Sequence, residues 1–207
     1  GFDRYAAEAL EMKRRLFGER SMEAAQSLQN MAHEQMSRGE TDSALALVDQ
    51  AVEIGREKGR ETLGFRDALY LKGQVLSALK RPREAEPILR ELLESERRVS
   101  SPESRDPIMT GSSLGTLLLA EAWKDADAGD VQAARGRAEE ALTLFRASEA
   151  FFTRQPEERE WRRAVAVLNR ASAEALSIAF TPGGADPDAL PTLMSLGEST
   201  FERTWQN

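Results

Sequence analysis

Cysteine is absent from the chain, and histidine occurs once, at His33. The missing cysteine excludes a disulfide scaffold, thiol catalysis and thiolate zinc sites. It fits a reducing compartment and sets the expected location as cytoplasmic. A single histidine leaves any metal site without the partners it needs, so no metal and no cofactor is expected. No stretch approaches the roughly 20 apolar residues of a membrane-spanning helix. No basic leader with an apolar core and a small-residue cleavage site is present. Basic residues are in the minority, 28 Lys plus Arg against 35 Asp plus Glu for a net charge of −7. That balance argues against nonspecific nucleic-acid binding, which needs a basic surface. Lysine is scarce even among the bases, with five Lys to 23 Arg. Together with the many alanines, this points to a GC-rich, bacterial gene. The chain starts at Gly1 with no Met, which reads as a fragment.

What remains is a globular composition, 41% hydrophobic and 30% charged, in 207 residues. Its organisation is an internal repeat. Three blocks begin at Ala25, Arg66 and Gly115, reading AQSLQNMAHEQMSRGETDSALALVDQAVEI, RDALYLKGQVLSALKRPREAEPILRELLES and GTLLLAEAWKDADAGDVQAARGRAEEALTL. Leu28, Leu69 and Leu118 correspond, as do Ala32, Gly73 and Ala122. Ala44, Ala85 and Ala134 form a third column, and Ala51, Leu92 and Ala141 a fourth. Every column gives the same intervals, 41 and 49 residues. Each block predicts a helix, a short turn (Gly39-Glu40, Lys80-Arg81-Pro82 or Gly129-Asp130) and a second helix. Spacings of four and three put the column residues on one helical face. Their small side chains let two antiparallel helices approach closely. Pro82 suits a first helical turn and Asp130 an N-cap.

These blocks resemble the tetratricopeptide repeat. AGDVQAARGRAEEAL, in the third block, runs like that family's turn and second helix. The segment from Ala9 to Ile54 resembles the longer repeats of kinesin light chains and similar bacterial arrays. Phe17-Gly18 stands at their Leu-Gly-type turn, and Ser27-Leu28-Gln29-Asn30-Met31-Ala32 at their Ser-Leu-Asn-Asn-Leu-Ala-like first helix. The resemblance covers roughly residues 6–145. The sequence departs from it at Lys72 and Glu121, where the family prefers a large apolar residue, and at Asp125, which replaces an apolar packing residue. The implied fold is all-α, a right-handed α-solenoid of three to four helix pairs forming a single domain over 1–207. Its parts are a half repeat at 3–17, repeats at 21–58, 62–98 and 107–153, and a degenerate repeat with cap at 157–205. The segment VSSPESRDPIMTGSS is expected to be an enlarged loop that absorbs the longer interval, with Asp106-Pro107 starting the next helix.

The ends read as follows. Ala6, Ala9, Leu10, Leu16 and Phe17 form the apolar face of an orphan N-terminal helix, which implies a parent protein extending further N-terminal. Gln155-Pro156-Glu157 breaks the long third-block helix. A helix over about 157–179 follows, with Trp161, Ala164, Val165, Leu168, Ala171 and Leu176 as its apolar face. After a turn at 181–188, a capping helix carries Leu193, Leu196, Phe201 and Trp205.

Catalytic motifs are weak. Gly111-Ser112-Ser113-Leu114-Gly115 matches G-x-S-x-G, but the only histidine lies upstream and no strand precedes it. It reads as a polar helix start or loop. Asp125, Asp127 and Asp130 around Gly129 invert the EF-hand order, so an inter-helix turn is the better reading. No phosphate-cradling loop is present. The chain is therefore expected not to be an enzyme, and paired carboxylates at an unrecognised site are the remote alternative.

In the resembling family, the first helix of each pair lines a concave groove that holds peptides. Matching each block implies Gln29, Asn30, His33 and Ser37, then Asp67, Tyr70, Gln74 and Ser77, then Thr116, Leu119, Trp123 and Asp127. The core of the implied site is Gln29, Asn30, His33, Tyr70, Gln74, Leu119 and Trp123, with Asn30 at the position of an asparagine that contacts ligand backbone. The chemistry agrees independently. Amides both donate and accept, so they can hold an extended backbone, and Tyr or Trp offers a large rigid contact with a polar handle. Trp123 has an equally strong reading as repeat-to-repeat packing. Arg159, Arg162, Arg163 and Arg170 form a cluster that either receives an acidic ligand or balances nearby glutamates as a solvated face. The expected function is a noncatalytic interaction module for a peptide or protein segment. The resemblance places it in a larger bacterial signalling or regulatory protein such as a serine/threonine kinase. The rival reading is self-association, as a homodimer or structural scaffold.

Overall fold

A computed structural model describes residues 2–101, 104–155 and 160–180. Among them are eight helices and no strand. They are α1 (Phe2–Phe17), α2 (Met22–Ser37), α3 (Thr41–Lys58), α4 (Leu63–Ala78), α5 (Pro82–Val99), α6 (Arg105–Asp127), α7 (Val131–Thr153) and α8 (Glu160–Ala179). The backbone groups into two compact units, residues 1–101 and 102–207, parted within the Ser-Pro-rich segment. The first unit contains α1–α5 and the second α6–α8. None of the described helices is long and apolar enough to cross a membrane.

The repeat columns occupy equivalent places. Ala44, Ala85 and Ala134 are each the fourth residue of α3, α5 and α7, and all are fully buried. Ala32, Gly73 and Ala122 each stand five residues before the last residue of α2, α4 and α6. Leu28, Leu69 and Leu118 are buried one turn earlier. Full burial of such a leucine is worth roughly 1.5–3 kcal/mol. In the first unit Ala32, Ala44, Val48, Leu71 and Val75 form one core cluster, closing α2, α3 and α4 on each other. The small residues matter here, because the alanine column contributes close approach rather than volume.

The turns are equivalent too. Gly39 and Gly129 have left-handed φ of 78° and 84°, and Lys80, in the same repeat position, has φ 55°. Only glycine takes this conformation without steric cost, so Lys80 is strained. Helix starts are capped by side chains. Ser21, Thr62 and Asp130 accept hydrogen bonds from Ala24 N (3.2 Å), Phe65 N (3.3 Å) and Ala133 N (3.0 Å). Pro82 occupies the first turn of α5.

The third pair corrects the expected loop. Helix α6 begins at Arg105 and runs 23 residues, against 16 for α2 and α4. The extra residues of the 49-residue interval are therefore two added turns at its N-terminus rather than an enlarged loop. Helix α7 also runs 23 residues, against 18 for α3 and α5, and its extra length lies at its C-terminus. In an antiparallel pair those ends meet, and there Ile108, Phe152 and Ala166 form an added core cluster.

Polar departures from the repeat pattern are paired. Lys72 Nζ lies 2.6 Å from Asp49, Lys124 Nζ lies 2.6 Å from the fully buried Glu121, and Arg137 Nε donates to Asp125 at 2.8 Å. Longer-range forks fasten the first unit. Arg20 grips Glu57 (2.7 and 2.6 Å) and Arg56 grips Glu91 (3.2 and 2.6 Å). The hydrogen bond to Glu91 is the main cause of a raised Arg56 pKa, so this guanidinium keeps its proton.

Helix α8 falls within its expected span, and among the described residues its buried face shares only Leu176 with the expected one. It buries Ala166, Ala173 and Leu176, followed by Phe180, whereas Leu168 and Ala171 are exposed and Val165 is only half-buried. Alanines at seven-residue spacing let α8 sit close to α7, which large side chains on that stripe would prevent. The side chains of Trp161 and Ala164, and the predicted capping helix with Leu193, Leu196, Phe201 and Trp205, lie outside the described residues.

Candidate recognition surface on α2 and α4

Helix α2 buries Ala24, Ala25, Leu28 and Ala32 against its neighbours. Its opposite stripe, Gln26, Asn30, His33 and Ser37, is exposed. The spacing of four, three and four keeps these side chains on one face. Helix α4 repeats the arrangement, with Phe65, Ala68, Leu69 and Val75 buried. Asp67, Tyr70, Gln74 and Ser77 are its exposed stripe, and Tyr70 is 54% exposed. The two helices are neighbours in the first unit. Gln29 fixes the seam between them, its Nε2 donating 3.0 Å to the backbone oxygen of Gly64. Gln29 itself is 3% exposed.

The predicted site residues thus divide. Asn30, His33, Tyr70 and Gln74 stand on this surface. Gln29 does not; burial and its bond to Gly64 make it a spacer of the two helices. Leu119 and Trp123 belong to the second unit and are partly buried there. They pack on Ala122, Ala134, Ala138, Leu176 and Phe180, and the Trp123 ring meets Phe180 edge-on at 6.1 Å. These contacts support the packing reading of Trp123 and give Leu119 a packing role within the second unit. Thr116 is exposed but donates its hydroxyl to Ser112 O at 3.1 Å, and Asp127 is exposed near the end of α6. Gln26 was missed. Its Nε2 donates to Asn30 Oδ1 at 3.3 Å, and its place four residues before Asn30 is the signal that would have found it.

Two solved structures share this arrangement of helices. BtubC (BKLC) from P. vanneervenii matches with a TM-score of 0.62 and 16% identity, over 99% of this chain and 72% of that one. A single-substitution variant of the nearly identical TPR-like repeats of a kinesin light chain candidate from Podosopora anserina matches with 0.61 and 14%, over 98% and 86%. The chain has a TPR-like repeat fold. At the sequence level, no family model and no curated protein matches it. In TPR-like terms α2, α4 and α6 are first helices of pairs, and α3, α5 and α7 second helices. Helix α1 takes a second-helix position.

The TPR-like frame also places the motifs. Gly111–Gly115 lies within α6, not at a helix start or loop. Ser112 and Ser113 donate their hydroxyls back to Ile108 O (3.0 Å) and Met109 O (3.2 Å). Gly115 is a packing glycine, since a Cβ there would stand 2.9 Å from the Phe145 ring. Asp125 and Asp130 are occupied as an ion-pair partner and an N-cap. Among the described residues no group of three or more His, Asp or Glu is arranged to hold a metal. Of the Arg cluster, Arg170 ties α8 to Glu149 of α7 at 2.6 Å and also pairs with Glu174, while Arg163 donates to Gln155 O.

Proposed function

We propose that this TPR-like chain is a noncatalytic protein-interaction module whose α2–α4 surface holds an extended peptide or protein segment. The observation that carries this is the chemistry of the two exposed stripes. In a chain that is 30% charged, these eight side chains include no Lys, Arg or Glu and a single acid, Asp67. Asn30 and Gln74 offer both donors and acceptors to a peptide backbone. Tyr70 adds an exposed aromatic of the kind that anchors interfaces. Within a larger signalling polypeptide, such a surface would recruit a partner by its backbone and shape rather than by charge.

The test begins with a random peptide display library selected on the purified chain. Selected peptides are then measured by fluorescence anisotropy. The double variant Asn30→Ala/Tyr70→Ala should weaken them about tenfold or more, with the melting temperature almost unchanged because both side chains are exposed. Peptides that bind the variant as well as the parent would refute the assignment. The second reading, self-association, rests on a different helix, α1.

A further inference from the structure

Helix α1 has two apolar faces. One, centred on the buried Leu10 with Ala6 beside it, faces the rest of the first unit. The other is Tyr5, Ala9, Met12 and Leu16, and all four are exposed. Tyr5 is 70% exposed, Met12 62% and Leu16 70%. Glu8, Glu11 and Arg15 flank this stripe and are exposed. Spacings of four, three and four are the d-a-d-a pattern of a coiled-coil seam. A contiguous apolar stripe of this kind marks an interaction surface.

We propose that a second copy of this chain covers the stripe, α1 against α1, antiparallel about a twofold axis. Volume and charge both select this arrangement. Antiparallel pairing sets Tyr5 opposite Leu16 of the second copy, and Ala9 opposite Met12, so large meets large at the ends and small meets long in the middle. A parallel pair would stack Ala9 on Ala9 and leave a gap. In the same lettering Glu8 and Arg15 are both g positions, and antiparallel helices bring g beside g. Glu8 then faces Arg15 of the second copy, and the symmetry makes two such pairs. The present partners are easily given up: Glu8 bonds Arg4 at 2.8 Å and Arg15 bonds Glu11 at 2.9 Å, both exposed pairs within one helix. The seam is short, since 16 residues span about 24 Å. The association is therefore weak, with a dissociation constant on the order of 10–100 μM. The α2–α4 surface is not involved, so this proposal and the peptide reading fail or stand separately.

Sedimentation equilibrium of the full 207-residue chain, from about 5 to 500 μM, tests it. A monomer–dimer equilibrium is expected. Leu16→Glu should hold the chain monomeric throughout that range. Glu8→Arg and Arg15→Glu should each weaken the dimer about tenfold. Their equimolar mixture should restore it, because every facing pair is again opposite in sign. Circular dichroism melts of each variant confirm that these exposed changes leave the fold intact. A wild-type chain that stays monomeric overturns the proposal. A dimer that survives Leu16→Glu places the contact elsewhere and also overturns it. Charge variants that weaken the dimer without rescue in the mixture overturn the antiparallel pairing.

Discussion

The three equivalent turns permit a balanced test of the repeat. Gly39 and Gly129 hold left-handed φ, and an added Cβ at either would meet nothing within 4 Å. Replacing either by Ala therefore introduces backbone strain and no clash. Left-handed backbone costs an L side chain about 1–2 kcal/mol. Removing glycine also makes the unfolded chain less free, which returns about 0.5–1 kcal/mol. The net loss is about 0.5–1 kcal/mol for Gly39→Ala and for Gly129→Ala. The same arithmetic runs backwards at Lys80, φ 55°. Lys80→Gly should gain about 0.5–1 kcal/mol. In units of about 100 residues, such changes move the melting midpoint by roughly 2–6 °C. Urea titration and thermal melts followed by circular dichroism measure both. Lys80→Ala is the control, and it should stay within about 0.5 kcal/mol of the parent, since it removes the charge and keeps the strain. A destabilising Lys80→Gly or a stabilising Gly39→Ala would refute the shared turn geometry.

Two further substitutions separate packing from recognition. Gln29→Ala leaves the Gly64 carbonyl without its donor and should cost about 1–2 kcal/mol in urea titration; a neutral result would return Gln29 to the recognition surface. Trp123→Ala removes a half-buried ring from the α6–α7–α8 cluster and should cost about 2–3 kcal/mol, with near-ultraviolet circular dichroism reporting the loss. If it instead spares the melting temperature and abolishes capture of peptides selected on the chain, Trp123 is a contact residue after all.

The helix pairs were legible because buried apolar columns recur at one register in every copy. Ala44, Ala85 and Ala134 could be read from spacing alone, since stacking admits only a small side chain there. What the spacing could not convey was which exposed or half-exposed residues would gain partners from other elements. Gln29 is polar and belongs to the block that carries the proposed recognition stripe, yet the carbonyl of Gly64, 35 residues away, takes its donor. Trp123 had two readings in the sequence, and the contact that supports packing comes from Phe180, beyond the clear repeats. On α8 two apolar stripes compete, and helix propensity says nothing about which one turns inward. The longer interval before Leu118 was misplaced for a related reason. Asp106-Pro107 was read as the helix start it is, since a proline there loses no hydrogen bond, but the Ser-rich residues around it were still counted as loop, whereas those after it are helical.

The matched growth of α6 and α7 has a consequence for how such a chain tolerates insertion. Two turns added at the open end of one helix would leave a bare ledge of apolar side chains if its partner kept its old height. Here both rise together, and Ile108 and Phe152 meet on the new storey. Changes in height at that end must therefore arrive as correlated pairs, whereas the hairpin tip at Gly129 can stay untouched. An engineer wishing to enlarge or trim this pair would cut both rails of the ladder at the same rung.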